Sequence, residues 1–259
     1  MSNDLKQKKT IGSVIKAMDI INYIAEQEEE QGATEISEAL GYGVSATYHL
    51  LNMLKECNMI SQNIKTKKYQ LSLKLWQLGM TAYHQNHISI SLRPYLRQLK
   101  DETGETANLT VLDRKQIVYI AQEESDKLIK MFTKTGATAP LHCTASGKIF
   151  LAYKDNERRE EILKNYVLEK FTKNTISDKE TLYKELEEIK KQGYGFDVEE
   201  RDDDVSCVAA PIFGPNKEVL ACISISGPHT RFTKENKDKW LEIILRISKE
   251  ASDFIKSSN

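Results

Sequence analysis

Apolar positions along residues 33–71 repeat first at helical and then at strand spacing, which predicts two short helices followed by a β-hairpin. In the first helix, Ile36 and Leu40 lie on one side, and Thr34 is the expected N-cap. Gly41 ends this helix, because glycine readily adopts the left-handed conformation that closes a helix. A second helix follows after a tight turn.

The second helix separates its residues onto two faces. Its apolar face carries Thr47, Leu50, Leu51 and Leu54, and its polar face carries Ser45, Tyr48, His49 and Asn52. A helix that begins after a tight turn and presents a row of hydrogen-bonding side chains is suited to a DNA major groove. We therefore expect the four polar residues to contact bases or adjacent phosphates. The alternative is an ordinary three-helix subdomain with a solvated polar face.

Residues 59–62 and 68–71 predict two strands around a basic tip, which completes the layout of a winged helix-turn-helix. Lys67 and Lys68, at this tip, are expected to contact a neighbouring phosphate track. An ordinary hairpin whose lysines are merely solvated is the alternative.

The flanking chain is also mostly helical. A first helix is predicted over residues 13–27. Its expected inward positions are Val14, Met18, Ile21 and Ala25, with Ile20 and Ile24 alongside. Residues 73–99 form a predicted helical connector interrupted near Pro94, since proline starts a helix more readily than it continues one. Residues 75–83 are more apolar than a free linker, so we expect them to pack against a partner chain or the next domain.

From Gly104 onward the pattern changes to strands mixed with helices. Strands are predicted at residues 105–112, 117–122, 128–133, 195–199, 205–213 and 219–226. Helices are predicted at residues 145–153, 157–165 and 178–191, and a final helix carries Trp240, Ile243, Ile244, Ile247, Ala251, Phe254 and Ile255 on one face. A meandering antiparallel sheet with helices packed around it is an α+β, sensor-like domain.

Strand alternation in this second part predicts a polar pocket. Ser224 and Ser226 share one face of their strand, and Cys207 shares a face of the strand before it with Val205 and Ala209. Residues 142–147 lead into a helix, whose first backbone N–H groups could bind a ligand carboxylate. A concave sheet face of this kind suits a small polar ligand. Serines that merely face solvent are the alternative.

Composition narrows the classes of protein. The chain has 259 residues, enough for two domains, with 40% hydrophobic and 29% charged residues. No apolar run reaches the length of a membrane span, and residues 1–9 lack the apolar core of a signal peptide. The four cysteines show no repeated spacing, so we expect reduced thiols in a cytoplasmic protein that does not act at a membrane.

The net charge of −1 does not by itself indicate a nucleic-acid partner. Bases and acids also balance within residues 1–82, so a DNA-binding face would depend on where the charges lie. Lysines occur in residues 6–9 and at the hairpin tip, whereas residues 26–30 place acids at the far end of the first helix. Dimerisation would be needed to gain enough phosphate contacts.

Motifs along nearly the whole chain occur in one order and spacing. They lie at residues 12–14, 16–17, 35–41, 50–51 and 54, 69–71, 102–106, 140–142, 145–148, 172, 175–176, 193–194, 207–211 and 225–228. On these residues the chain resembles the IclR family of bacterial transcription regulators. The resemblance implies a winged helix-turn-helix domain at 1–72, then a linker helix and a GAF-like effector domain at 73–259. It also implies a homodimer or a dimer of dimers on an inverted-repeat operator in double-stranded DNA.

The same resemblance assigns contact residues. To the DNA contacts already given it adds Ser13 and Lys16. The effector, expected to be a small organic acid or a related metabolite, is placed at Ala145, Ser146, Asp197, Cys207, Ser224 and Ser226. No cofactor and no metal is implied.

Several positions depart from the family pattern. Ala46 and His49 replace a threonine and an arginine that are usual in the recognition helix, and a neutral histidine donates fewer hydrogen bonds than arginine. Ser72 and the region of Asp204 replace usual glycines. A sensor of the same fold with weak or lost specific DNA binding is therefore the alternative function.

An enzyme is the rival class, and the sequence argues against it. His142 and Cys143 are adjacent, so their side chains point apart and cannot readily form a base and nucleophile pair. Cys207, Cys222 and His229 lack the spacing of metal ligands. No glycine-rich phosphate-binding loop is present in the sequence.

Overall fold

A computed structural model describes residues 12–85 and 87–257 and divides the chain into two compact units. One unit ends at Asn86 and the other begins at His87. The predicted lysine arm at residues 6–9 lies outside the described residues. No helix within the described ranges is both long enough and apolar enough to cross a membrane.

The first unit is a helical triad followed by a hairpin and one more helix. Its elements are α1 (Gly12–Ala25), α2 (Ala33–Leu40), α3 (Val44–Glu56), β1 (Ile60–Gln62), β2 (Tyr69–Leu71) and α4 (Leu73–Gln85). Its core consists of Ile20, Ile24, Ala33, Ile36, Leu51, Leu54, Ile60 and Tyr69. A bridge between Gln31 and Tyr69 joins the segment before α2 to the hairpin. The predicted winged helix-turn-helix is confirmed.

Two local predictions in this unit are wrong. Thr34 does not cap α2, because the helix already begins at Ala33 and Gly32 is the N-cap, whose N–H donates to the Glu35 carboxylate at 2.7 Å. The inward face of α1 is also different. Val14, Met18 and Ala25 are exposed and Ile21 is half-buried, whereas Ile20 and Ile24 are buried. The reason is that α1 packs into the core along the side that carries Ala17, Ile20, Ile21 and Ile24.

The second unit is built on a six-stranded antiparallel sheet in the order β5-β4-β3-β8-β7-β6. Its strands are β3 (Thr106–Asp113), β4 (Gln116–Glu123), β5 (Thr138–Pro140), β6 (Gly195–Val198), β7 (Val205–Phe213) and β8 (Val219–Pro228). Its helices are α5 (His87–Ser91), α6 (Arg93–Thr103), α7 (Ala145–Ala152), α8 (Asn156–Leu163), α9 (Lys179–Gln192) and α10 (Lys234–Ser257). The predicted α+β class is confirmed.

Alternate residues of the strands pack into two separate apolar cores, one on each face of the sheet. Val208 and Ile223 pack with α6 and α10 on one face of the sheet. Ala209 and Cys222 pack with α7, α8 and α9 on the other face. Because both faces are covered, the central strands are almost continuously buried.

The predicted strand at residues 128–133 is wrong. That segment is irregular and exposes Leu128, Ile129 and Phe132, and the free edge of β4 pairs instead with the short β5. The predicted break in the connector is confirmed, since α6 carries Pro94 in its first turn. The helix α4 falls within the first compact unit, and the functional division at residue 72 stays a prediction.

Candidate functional site

The helix α3 presents the polar face that the sequence predicted. Thr47, Leu51 and Leu54 are buried beneath it, while Ser45, Tyr48, His49 and Asn52 are exposed. The connection before α3 is fixed by Gly41, which has φ 64°, and by a hydrogen bond from the Ser37 hydroxyl to the Tyr42 carbonyl at 2.7 Å. The four polar side chains therefore lie on one open surface of a firmly held helix.

The hairpin tip is less basic than its lysines suggest. Lys67 is exposed, but Lys68 forms an ion pair with Glu35 at 3.2 Å. The Glu30 carboxylate accepts hydrogen bonds from Asn63 at 2.9 Å and from the Thr66 hydroxyl at 2.9 Å, and these bonds lower the pKa of Glu30. The expected segregation of the acids at residues 26–30 from the hairpin lysines is thus wrong for Glu30, because α1 ends at Ala25 and the following chain returns to the hairpin.

The two further DNA-contact residues lie on α1. Ser13 and Lys16 are both exposed. The Lys16 ammonium lies 4.9 Å from the centre of the Tyr42 ring, and the Tyr42 hydroxyl donates to Asp19 at 2.5 Å. Lys16 is therefore held beside the turn that precedes α3.

One cavity in the second unit brings together all six predicted effector residues. It is partly open to solvent, and its lining includes Ala145, Ser146, Asp197, Cys207, Ser224 and Ser226. Antiparallel pairing sets Asp197 opposite Cys207 and Cys207 opposite Ser226. Three strands thus supply side chains to one row across the sheet.

The N-terminus of α7 forms one wall of this cavity. Thr144 caps the helix, because its hydroxyl oxygen accepts from the Gly147 N–H at 3.2 Å. Ala145 and Ser146 line the cavity in the first turn, where N–H groups have no partner within the helix. A Cβ at Gly147 would lie 2.5 Å from the Leu141 backbone, so only glycine allows this close approach.

Ser226 is oriented by a chain of side chains that the sequence analysis missed. The Gln122 side-chain amide donates to the side-chain oxygen (Oδ1) of Asn108 at 2.9 Å, and the Asn108 side-chain NH₂ donates to the Ser226 hydroxyl at 3.1 Å. The Cys207 thiol donates to the same oxygen at 3.1 Å. Since the Ser226 oxygen already accepts two hydrogen bonds, its own proton is left to donate into the cavity. The signal for this role in the sequence was an asparagine between Ala107 and Leu109 of the predicted strand.

Asp197 is 3% exposed, and burial raises the pKa of its carboxyl group to about 7. A hydrogen bond from the Glu200 N–H at 2.8 Å and the Lys148 ammonium oppose this shift. Near neutral pH a large fraction of Asp197 is therefore protonated. In that form it can donate a hydrogen bond to an acidic ligand instead of repelling it.

Two irregular segments complete the cavity, and neither was predicted to do so. The first supplies Met131 and Thr133 and is held by the Thr106 hydroxyl, which donates to the Met131 carbonyl at 2.9 Å. The second, between β6 and β7, supplies Arg201 and Asp202. Tyr119 also lines the cavity, and its burial raises the pKa of the phenol well above its usual range.

A buried lysine holds the second segment in place. Lys148 is 1% exposed, and its ammonium donates to Glu200 at 2.5 Å and to Glu185 at 3.2 Å. The hydroxyls of Thr172 and Thr175 donate to the carbonyls of Glu199 and Glu200, each at 2.6 Å. The segment that carries Arg201 is thus fixed at both its side chains and its backbone.

The residues considered for catalysis are engaged elsewhere. The His142 ring contacts the Tyr166 hydroxyl at 3.3 Å and the Glu169 carbonyl at 2.9 Å. Burial raises the pKa of Cys143 to about 12, which leaves almost no thiolate at neutral pH. Within the described part of the chain, no group of three or more His, Cys, Asp or Glu side chains could hold a metal ion.

Comparisons with known proteins agree over both units. The family model of the bacterial transcriptional regulator IclR C-terminal domain matches residues 80–253, and that of the IclR helix-turn-helix domain matches residues 13–63. The HTH-type transcriptional regulator KdgR of Dickeya chrysanthemi is 35% identical over 248 residues, covering 96% of this chain and 81% of that protein.

Solved structures share the fold. The crystal structure of the Thermotoga maritima IclR has a TM-score of 0.74 and 30% identity, covering 95% of this chain and 99% of that one. An IclR homolog from Microbacterium hydrocarbonoxydans, complexed with 4-hydroxybenzoate, has a TM-score of 0.76 and covers 92% of this chain and 98% of that one. At 18% sequence identity, this similarity shows a shared fold and nothing further.

The buried carboxyl group generates a pH prediction. The pKa of Asp197 rises from its ordinary value of 3.8 to about 7 on folding, so its contribution to stability is complete below 3.8 and is lost as the pH rises through 7. Between pH 6 and pH 8 the wild type should lose about 1.4 kcal/mol more stability than Asp197→Asn, which has no proton to lose.

Urea unfolding of both proteins at the two pH values measures this difference. Asp238→Asn, which changes an exposed carboxylate on α10, should keep the wild-type pH dependence. Equal losses in the wild type and in Asp197→Asn would contradict the assignment.

Proposed function

Because the chain belongs to the IclR family of bacterial transcriptional regulators, we propose that it is a DNA-binding regulator whose operator affinity changes when a small organic acid binds the second unit. One observation carries this proposal. The six residues expected to contact an effector line a single cavity, in a chain that also presents a helix-turn-helix surface.

In this proposal α3 reads bases and the hairpin positions the protein on the phosphates. Tyr48 and Asn52 extend from the middle of the exposed face, and Ser45 lies at its start. Lys67 can contact a phosphate directly, whereas Lys68 must first break its ion pair with Glu35. An ion pair between side chains as exposed as these is weak, so a phosphate can replace the carboxylate.

We propose that two chains bind an inverted repeat. Leu73, Trp76 and Leu78 of α4 are exposed, with Trp76 at 65%, as are Val14 and Met18 of α1. Exposed apolar residues in such number on one small unit are typical of a surface that binds another protein. A symmetric pair of units would also present two recognition helices to two half-sites. Effector domains could then join two dimers into a tetramer.

The cavity suits an acid because it offers hydrogen-bond donors. The first turn of α7 supplies backbone N–H groups, Ser226 supplies a hydroxyl proton, and Asp197 supplies a carboxyl proton. The structure from Microbacterium hydrocarbonoxydans, which shares this fold, is complexed with an acid, 4-hydroxybenzoate. We assign no catalytic role to the site, and a regulator of this kind acts in the cytoplasm, where its operator lies.

The first prediction from this function concerns DNA. Lys67→Ala should weaken binding to all sequences and flatten the salt dependence by about one unit of slope, because fewer counterions are released. Tyr48→Ala and Asn52→Ala should instead relax discrimination among operator variants by about 1–3 kcal/mol. Fluorescence anisotropy on DNA from upstream of the protein's own gene, at several salt concentrations, measures both effects.

Lys190→Ala, an exposed lysine of α9, is the matched control and should change neither quantity. Undiminished specific binding by a folded Tyr48→Ala/Asn52→Ala variant would exclude α3 as the reading helix. Binding of the wild type that never exceeds its binding to unrelated DNA would favour the sensor without specific DNA recognition, to which Ala46 and His49 point.

Assembly gives the second prediction. Sedimentation velocity at micromolar concentration should show a dimer or tetramer, and Trp76→Glu/Leu78→Glu should dissociate it, because charges are costly in an apolar interface. The variant should also bind DNA more weakly. Val167→Glu places the same charge on an exposed residue of the second unit and should leave the assembly unchanged. A monomeric wild type, with and without DNA, would contradict this assignment.

Coupling between the cavity and DNA is the third prediction. A screen of small organic acids by thermal shift on the full chain should find a stabilising acid, and that acid should change operator affinity about 5- to 150-fold. Ser224→Leu/Ser226→Leu fills the cavity and should abolish this change while preserving DNA binding. Ser177→Leu, on an exposed loop, is the control. A normal response in the double variant would place the ligand elsewhere.

A further inference from the structure

Arg201 is the one cationic side chain among the described residues that line the effector cavity. Lys148 lies close by but is fully buried and already donates to Glu200 and Glu185. Arg201 also lines a neighbouring pocket together with Phe171, so its side chain lies between the two. Among the residues that line the effector cavity, it is the one cation that a second anionic group of a ligand can meet.

The donors of this guanidinium are not used by the protein. Its central carbon lies 4.1 Å from the centre of the Phe171 ring, so the group is stacked and not hydrogen-bonded there. Its nearest carboxylate, Asp202, is at 3.9 Å, beyond hydrogen-bond distance and on a half-exposed side chain. No hydrogen bond from the Arg201 side chain occurs within the described residues. Five N–H donors are thus available to a ligand.

The backbone under Arg201 is fixed in advance. Glu200, its neighbour, is tied to Lys148 at 2.5 Å, and the Glu200 N–H donates to Asp197 at 2.8 Å. Glu199 and Asp204, at the two ends of the segment, have φ of 54° and 62°, a conformation in which the backbone has little freedom. A stacked arginine on a fixed segment loses little entropy when it binds a planar group.

We propose that Arg201 is a specificity-determining residue that binds a second carboxylate of the effector, so that the effector is a dicarboxylic acid. This inference rests on the proposed function, in which the first carboxylate binds the N-terminus of α7. A carboxylate matches the guanidinium in a bidentate geometry that the distant Asp202 does not provide. The raised pKa of Asp197 reduces the negative charge that this group places beside a doubly charged ligand.

Matched pairs of acids test this proposal on the full chain. Each pair shares a carbon skeleton and differs in the second carboxylate: succinate and butanoate, 2-oxoglutarate and 2-oxopentanoate, adipate and hexanoate. Isothermal titration calorimetry should show at least one diacid binding about 10- to 100-fold more tightly than its monoacid partner.

Arg201→Gln should bring this ratio close to one by weakening the diacid alone, and Arg201→Lys should retain part of it. Arg158→Gln, an exposed arginine of α8 paired with Glu161, is the control and should keep the wild-type ratio. A structural role of Arg201 would instead weaken both members of a pair equally, and circular dichroism identifies a variant that has not folded.

Two results would overturn the proposal. The first is a wild type that binds monoacids as tightly as diacids, which leaves the proposed function intact. The second is a diacid preference that survives in Arg201→Gln. If no acid of the wider screen binds at all, the proposed function fails together with this inference.

Discussion

Antiparallel pairing among β6, β7 and β8 places Asp197, Cys207 and Ser226 in one row, and the cavity exists only in that register. A slip of one residue along β7 would turn Cys207 to the opposite face and bring Val208 into its place. Such a slip is costly because both faces of the sheet are covered: Val208 and Ala210 pack with α6 and α10, while Ala209 packs with α7 and α9. The two apolar cores therefore hold the polar row in register, although they contribute few of its atoms.

Ion pairs in which at least one partner is buried then attach the irregular segments to this framework. Lys148 on α7 holds Glu200, which positions the segment with Arg201. Glu105, fully buried at the start of the sheet, pairs with Arg231 and with Lys127, the latter at 2.7 Å, and so anchors the segment that supplies Met131 and Thr133. Removing one partner of a buried pair typically costs about 3–5 kcal/mol, because the remaining charge stays out of water. Both segments that close the cavity are thus held by charges and hydrogen bonds, and the framework itself by apolar packing.

The DNA-binding unit follows the opposite arrangement. Its small apolar core fixes α3 against α2 and the hairpin, and its charges lie on the surface in weak pairs. Glu35 both caps α2 and pairs with Lys68, and Glu30 holds the hairpin tip through Asn63 and Thr66. These contacts order the tip before any DNA arrives. The exposed ion pair between Glu35 and Lys68 itself contributes little stability.

Periodicity in the sequence determined the elements. The two faces of α3, the strands of β7 and β8 and most of the buried face of α10 were predictable, since spacings of 3.6 and 2 residues directly report which side is covered. Phe254, predicted on the buried face of α10, is 38% exposed because it lies at the edge of that face. The motifs of the family resemblance also identified the six residues that are expected to contact the effector.

Other features depend on contacts between segments that are distant in the sequence, and only the tertiary structure determined them. Residues 128–133 have strand-like composition but pair with no strand of the described sheet, in which β5 occupies the side of β4 that faces away from β3. Glu30 reaches the hairpin, Asn108 orients Ser226, and burial changes the protonation of Asp197. Each of these depends on which atoms surround a side chain, and a linear pattern does not specify that environment.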